Sequence, residues 1–301
     1  MKTLYTLLPL AIIGILISAT NPPKPPKELK TVSKELGEGF VYVPAGSTSI
    51  DGRTVPVIAF FMNRGEVTNA EYRAFLSYLK TNNETEKLKI AMIDSARWSY
   101  NQNYGNPYEK MYGWHPAYSN YPVVNISYEA AQLYCEYLTK AYNEKAAKSH
   151  SGITYNFRIP ERAEFLRAAK GDDPNRVYAW DGHYMRNGMG LIQCNHTQIG
   201  NEDVHYNSET KQYEIIIDSK QSETDQAQNY HADITAPSIS FWPNQFGIYN
   251  LNGNVSEMIS EKGKAVGGDW MSPGYDVRNE SIKTVEGPAP TTGFRVVMSV
   301  Q

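Results

Sequence analysis

Cysteine is scarce in this chain: 301 residues carry two, Cys135 and Cys194. At most one disulfide can form, and spacing does not decide whether it does. Histidine is nearly as sparse, with six copies and no pair at i, i+3 or i+4, so a helical histidine pair for a metal lacks support. There is no glycine-rich phosphate loop, no repeat and no sustained low-complexity run, so nucleotide chemistry drops out. Net charge is −3 without a basic cluster, and nothing favours nucleic acid or an anionic membrane surface. The apolar run Leu4 to Ala19 falls short of the roughly 20 residues of a comfortable membrane span.

What is present begins with that run. Lys2 before it, small residues at Ile17-Ser18-Ala19 and the break at Asn21-Pro22-Pro23 have the layout of a secretory signal over residues 1–19, with an uncleaved anchor as the alternative. Thr20 and Asn21 stand where a bacterial lipoprotein carries its cysteine, so no lipid anchor is expected. Residues 20–37, with four prolines and several lysines, read as an extended polar linker, and residues 38–301 as one domain. The expected location is periplasm, cell envelope or outside the cell.

Tyrosine is abundant, 22 copies against 9 phenylalanines, which suits rings packed under irregular loops or a partner-contacting surface. Phe40 to Val43 and Val55 to Met62 read as strands. Thr68 or Asn69 caps a helix whose Tyr72, Phe75, Leu76 and Leu79 recur at helical spacing. Residues 92–120 form a ring-rich insert, broken by Gly105, Pro107, Gly113 and Pro116 and expected to lie across the surface. Ser127 caps a second helix over Tyr128 to Tyr142, which carries Cys135 as a small buried thiol, and Pro160 opens a third with Glu161 and Glu164 at its start as a cap. Residues 198–229 are a further insert with a hairpin strand at Tyr213 to Ile217, and the last strands surround Ala265 to Gly267 and Phe294 to Met298. Long loops on a small sheet with a few helices make an α+β domain.

The segment Asn244 to Glu257, NQFGIYNLNGNVSE, sets four asparagines, two glycines and one carboxylate among apolar residues. Oxygens so concentrated can surround a hard cation such as Ca²⁺. The alternative is a hydrogen-bonded turn in which Glu257 satisfies backbone N–H groups.

FVYVPAGS (40–47), EVTNAEYRAFL (66–76), YPVVNISYEAAQLYCEYL (121–138), RIPERAEFLRAAKG (158–171), YAWDG (178–182), the asparagine-rich run, VGGDW (266–270) and TGFRVV (292–297) follow one another in order. This series resembles the formylglycine-generating enzyme family, the sulfatase-modifying factors. The resemblance implies a formylglycine-generating-enzyme-type variant of the C-type-lectin-like fold. It also implies a copper site made by two cysteines after a GGS motif, but here Ser272 and Val277 stand at those positions, so copper is not expected. The serine of GGS is Asp269, and the tryptophans of the family's GNVWEW are Ser256 and Met258. A structural Ca²⁺ site is implied at Asn250, Gly253, Val255 and Glu257, and a second at Asn195 and His196, whose later acid is unassigned because Asp233 is out of step and Tyr230 takes the aligned place. The three-histidine iron site of ergothioneine-forming relatives lacks support.

YGWHPAYSNYPVV (112–124), CNHTQIGNED and HADITAPSISFWPNQFG resemble the gliding-motility and type IX secretion lipoproteins of Bacteroidetes. Two functions follow as expectations. One is an exported, catalytically degenerate, Ca²⁺-stabilised binding or assembly module whose partner is an envelope protein or peptide. The other is an enzyme, either forming formylglycine or reusing a groove around Asp269, Ser272 and Ser256. A groove open and polar beside Ser272 favours the second; one filled by Met258, Trp270 and Met271 favours the first.

Overall fold

The computed structural model describes residues 22–100, 107–150, 152–199, 204–215 and 234–300. The expected export signal, Tyr104, Tyr230, Asp233 and the end of the expected Tyr213–Ile217 strand lie outside these residues. In chain order the strands are β1 (Phe40–Val43), β2 (Gly46–Ile50), β3 (Arg53–Val57), β4 (Phe60–Asn63), β5 (Tyr155–Arg158), β6 (Val204–Asn207), β7 (Gln212–Ile215), β8 (Ser256–Met258), β9 (Lys264–Val266), β10 (Ile282–Thr284), β11 (Thr292–Gly293) and β12 (Val297–Val300). The helices are α1 (Lys30–Leu36), α2 (Asn69–Thr81), α3 (Thr85–Ala91), α4 (Pro107–Met111), α5 (Tyr128–Ser149) and α6 (Arg162–Lys170). The α+β expectation holds.

Antiparallel pairing orders the main sheet β1-β4-β12-β5. Register sets Tyr42, Phe61, Met298 and Phe157 in one row, and Val41, Met62, Val297 and Arg158 in the next. Because side chains alternate between faces, the first row meets α2 and α5 while Met62 and Val297 meet α6, Phe246, Ile248 and Leu251. Each large side chain so buried contributes about 1.5–3 kcal/mol. A second sheet, β10-β9-β8-β11, is antiparallel apart from the β11·β8 pair, and it carries the end of the asparagine-rich run.

Helix starts follow the capping chemistry. The Thr68 hydroxyl accepts from Glu71 N at 3.2 Å while Thr68 N donates to the Glu71 carboxylate at 2.8 Å. Ser127 Oγ accepts from Ala130 N at 3.1 Å. Glu161 is the N-cap of α6 and donates its N–H to Glu164 at 2.9 Å, so the helix opens just after Pro160 and the two glutamates serve as its capping pair.

Four expectations are corrected. Residues 20–37 are not linker throughout: Val32 and Leu36, one helical turn apart on α1, are buried in the core. The expected strand Val55 to Met62 is two strands, because Asp51-Gly52, both at positive φ, turn β2 back onto β3 as a hairpin before β4 enters the main sheet. Helix α5 runs past Tyr142 to Ser149, held by a reciprocal pair of 2.8 Å hydrogen bonds between Asn143 and the backbone of Tyr155. The ring-rich insert is partly interior: Trp98 and Tyr112 are buried with centroids 4.7 Å apart, and the Tyr112 hydroxyl donates to Pro122 O at 2.7 Å.

Candidate functional site

The asparagines of 244–257 tie the loop to its surroundings. Asn244 accepts from Phe246 N and Ile248 N and donates to Ala168 O at 2.7 Å. Asn252 accepts from Ala179 N at 2.6 Å and donates to Val277 O at 2.7 Å. Asn254 accepts from Ala236 N at 2.7 Å and donates to Glu66 Oε1 at 2.8 Å. Asn250, Gly253 and Asn254 all take positive φ, and a Cβ at Gly253 would lie 2.3 Å from Asn195 O, so only glycine fits there.

At the end of the loop the Glu257 carboxylate meets a guanidinium. Arg295 Nε donates to Glu257 Oε2 at 2.5 Å and Nη2 donates to Oε1, with both residues buried. The same guanidinium donates to the carbonyls of Asn63, Tyr249 and Asn250. Asn250 Nδ2 lies 3.2 Å from Glu66 Oε2, Pro237 O and Ser238 O alike. Burial pushes the Glu66 carboxyl up to about 8, aided by the Glu257 charge and opposed by Arg295. Burial also raises Glu257, against the pull of Arg295.

This arrangement bears on calcium. Hard oxygens of the right kind are present, but the one carboxylate among Asn250, Gly253, Val255 and Glu257 is bound at both oxygens by Arg295. The four residues therefore do not fit a divalent cation as they stand, since the ion would be set against a guanidinium that already neutralises the charge. Glu257 does not cap backbone N–H groups either; its partner is Arg295. Exchanging calcium for EDTA is expected to leave the thermal midpoint unchanged, and a fall of several degrees on chelation would restore the calcium site.

At the second pair the bonds fall on side-chain nitrogens, which are not the oxygens a cation would take. Asn195 Nδ2 donates to Ile234 O at 2.8 Å, and His196 Nδ1 lies 3.1 Å from Cys194 O, burial lowering the imidazole below its ordinary value. Cys135 and Cys194 are free thiols in separate parts of the core, so no disulfide joins them.

Around the two positions expected to mark copper, the chain builds a different network. Asp269 is buried; it accepts from Ser256 Oγ at 2.8 Å and from Lys283 Nζ at 2.5 Å on Oδ2, and from Met271 N at 3.0 Å on Oδ1. Lys283 also donates to Thr291 Oγ1 at 3.2 Å, and Ser272 Oγ accepts from Asp269 N at 3.1 Å. Val277 is fully buried against Tyr178 and Cys194. Ser256 and Asp269, expected as groove residues, are therefore interior, because a buried aspartate draws in every donor near it. Ser272 does line a cavity of about 440 Å³, with Asp276, Arg278 and Lys283. Met258, Trp270 and Met271 do not fill it: the first is in the core, the second donates to Pro290 O, and the third is at the surface. Lys283 escaped the sequence reading, since only the buried charge of Asp269 calls for it.

The model of the sulfatase-modifying factor enzyme 1-like domain matches residues 25–300. The chain belongs to this family. Formylglycine-generating enzyme from Streptomyces coelicolor is 27% identical over an alignment of 283 positions that covers 87% of this chain and 72% of that protein. Formylglycine-generating enzyme from Mus musculus is 24% identical over 260 residues, 80% of this chain and 56% of that protein. Among solved structures, CarF aligns at a TM-score of 0.53 with 17% identity, covering 87% of this chain and 98% of its own. PvdO from Pseudomonas aeruginosa aligns at 0.52 with 18% identity, covering 86% and 94%. These likenesses agree on the formylglycine-generating-enzyme type of fold. The family model also begins within the segment expected to be linker, in keeping with the packed α1.

Proposed function

We propose that this chain is an exported, non-catalytic member of the sulfatase-modifying factor family, acting as a binding or assembly component of the cell envelope. One observation carries the reading: where the resemblance places two copper-binding thiolates, Ser272 offers a hydroxyl that already accepts from Asp269 N, and Val277 offers buried methyl groups. Neither ligates a cuprous ion, which takes soft sulfur donors. Cys194 packs beside Val277 but does not rebuild the pair of soft ligands, because Cys135, the other thiol of the chain, lies in a separate part of the core. The lysine-bound Asp269 further replaces a small neutral site with an ion pair.

Export rests on the apolar run Leu4 to Ala19. Among the described residues no helix is long and apolar enough to cross a membrane. The partner in this reading is an envelope protein or peptide, and the likeness of 112–124 to gliding-motility and type IX secretion proteins supports an assembly role. The open polar cavity at Ser272 favours a second reading, an enzyme reusing that groove. It stays second because, among the described residues, Ser272 Oγ accepts from Asp269 N and donates to no base.

The test is aerobic incubation of the copper-loaded protein with a sulfatase-type CxPxR peptide, followed by mass spectrometry. No conversion of cysteine to formylglycine is expected. Conversion would return the chain to the enzymes and show that Ser272 and Val277 do not mark the metal site.

A further inference from the structure

Strand β10 is the outer strand of the second sheet, paired on one side only, with β9. Its alternation can be read from the neighbouring bond Val285 N to Gly263 O at 2.8 Å. In an antiparallel ladder hydrogen-bonded pairs recur every second residue, so Lys283 exchanges its bonds with Ala265 while the N–H and C=O groups of Ile282 and Thr284 point away from the sheet. The 3.2 Å contact between the side chains of Lys264 and Thr284 agrees, because side chains approach more closely in the non-hydrogen-bonded pairs. Ile282 is 41% exposed, and nothing among the described residues pairs with this edge.

Two cavities flank the strand. One of about 440 Å³ opens at the Ile282 end beside Arg278, and another of about 510 Å³ at the Thr284 end beside Arg97. Thr292 Oγ1, buried and without a hydrogen-bond partner among the described residues, lines the second. Arg278 Cζ lies over the Tyr275 ring, 3.5 Å from its centroid, with Nε donating to Tyr275 O, and it forms no ion pair among the described residues. A guanidinium fixed in this way presents its fork to a carboxylate.

The geometry points to β10 as a docking edge for an extended peptide, which adds as a further strand and sets an acidic side chain against Arg278. This rests on the binding reading above and names its surface. The edge supplies sequence-independent backbone bonds, while the cavities select the side chains. Lys283 is already committed to Asp269, so Arg278 supplies the charge complement.

The probe is a fluorescein-labelled peptide of about six alternating Thr and Val residues with a central Glu, compared with its central-Lys counterpart by fluorescence anisotropy. The Glu peptide is expected to bind the full protein more tightly. Thr284→Pro removes one outward donor without touching the ladder and is expected to weaken binding by about tenfold. Arg278→Ala is expected to abolish the preference for Glu over Lys. Hydrogen exchange on the unmodified protein reads the same contact without any variant: the amides of Ile282 and Thr284 gain protection when the Glu peptide is added. Failure of both peptides to bind, unchanged affinity in Thr284→Pro, or protection elsewhere would overturn the docking edge. A dimer lost in Thr284→Pro would give the edge to a second copy and overturn the peptide. Failure here with no formylglycine in the copper assay discards the edge alone, whereas formylglycine formation discards the non-catalytic reading whatever the peptides do.

Discussion

Arg295→Met is expected to destabilise the protein by about 3–5 kcal/mol, the cost of removing one partner from a buried ion pair. The guanidinium is fully buried, binds both oxygens of Glu257 and donates to three backbone carbonyls. Its loss leaves Glu257 without a cation in an interior it shares with Glu66. Urea unfolding should show the midpoint falling with little change in slope. The double variant Arg295→Met with Glu257→Gln should recover part of the loss, because no uncompensated charge then remains. A single variant within about 1 kcal/mol of the parent would mean that the pair contributes no more than an exposed one.

The second large effect is a dependence on pH. Burial raises Glu66 from an ordinary 4.5 to about 8, so between those values the folded chain keeps a proton that the unfolded chain has released. The folded state then binds more protons, and stability falls as pH rises through that window. One proton corresponds to about 1.4 kcal/mol per pH unit at the steepest. Below 4.5 both states are protonated at this group, and above about 8 both are ionised, so its contribution is flat outside the window. Glu66→Gln keeps the acceptor and removes the titration, and it should flatten the decline relative to the parent. Denaturant midpoints measured from pH 5 to 8 decide the matter; parallel curves for the two proteins would show that Glu66 is ionised throughout.

Both effects arise from a cluster that the sequence reading met only in part. EVTN and TGFR stood out as separate motifs, and Glu257 as the acid ending a polar loop, but nothing in their spacing joins Glu66, Glu257 and Arg295. Glu66 and Arg295 meet because β4 and β12 are antiparallel neighbours in the main sheet, and Glu257 joins them because β8 pairs with β11, two residues before Arg295. The asparagine-rich run has the same lesson. Its composition suits a cation or a hydrogen-bonded loop equally, and the choice rests on a guanidinium some forty positions downstream, Arg295 against Glu257.

Local chemistry was legible where it is local. Thr68, Ser127 and the Glu161–Glu164 pair announce helix starts through bonds made within three residues, and Tyr72, Phe75, Leu76 and Leu79 mark a buried face by period alone. Asp51-Gly52 could have revealed the β2–β3 hairpin, since that dipeptide favours the positive φ of a two-residue turn. Val32 and Leu36 were obscured by the prolines and lysines around them, because composition averages over a segment while burial depends on one face of one short helix.

The sequence by itself determined the order of motifs, hence the family and its α+β fold, and it determined that Ser272 and Val277 carry no thiol. Only the tertiary structure decided what surrounds these positions and the polar loop: a buried Asp269 held by Ser256 and Lys283, an Arg295 guanidinium on Glu257, and a β10 edge unpaired among the described residues. A residue's identity is written in the chain, but the partner of a buried charge is fixed by which distant segments the sheets bring within hydrogen-bond reach.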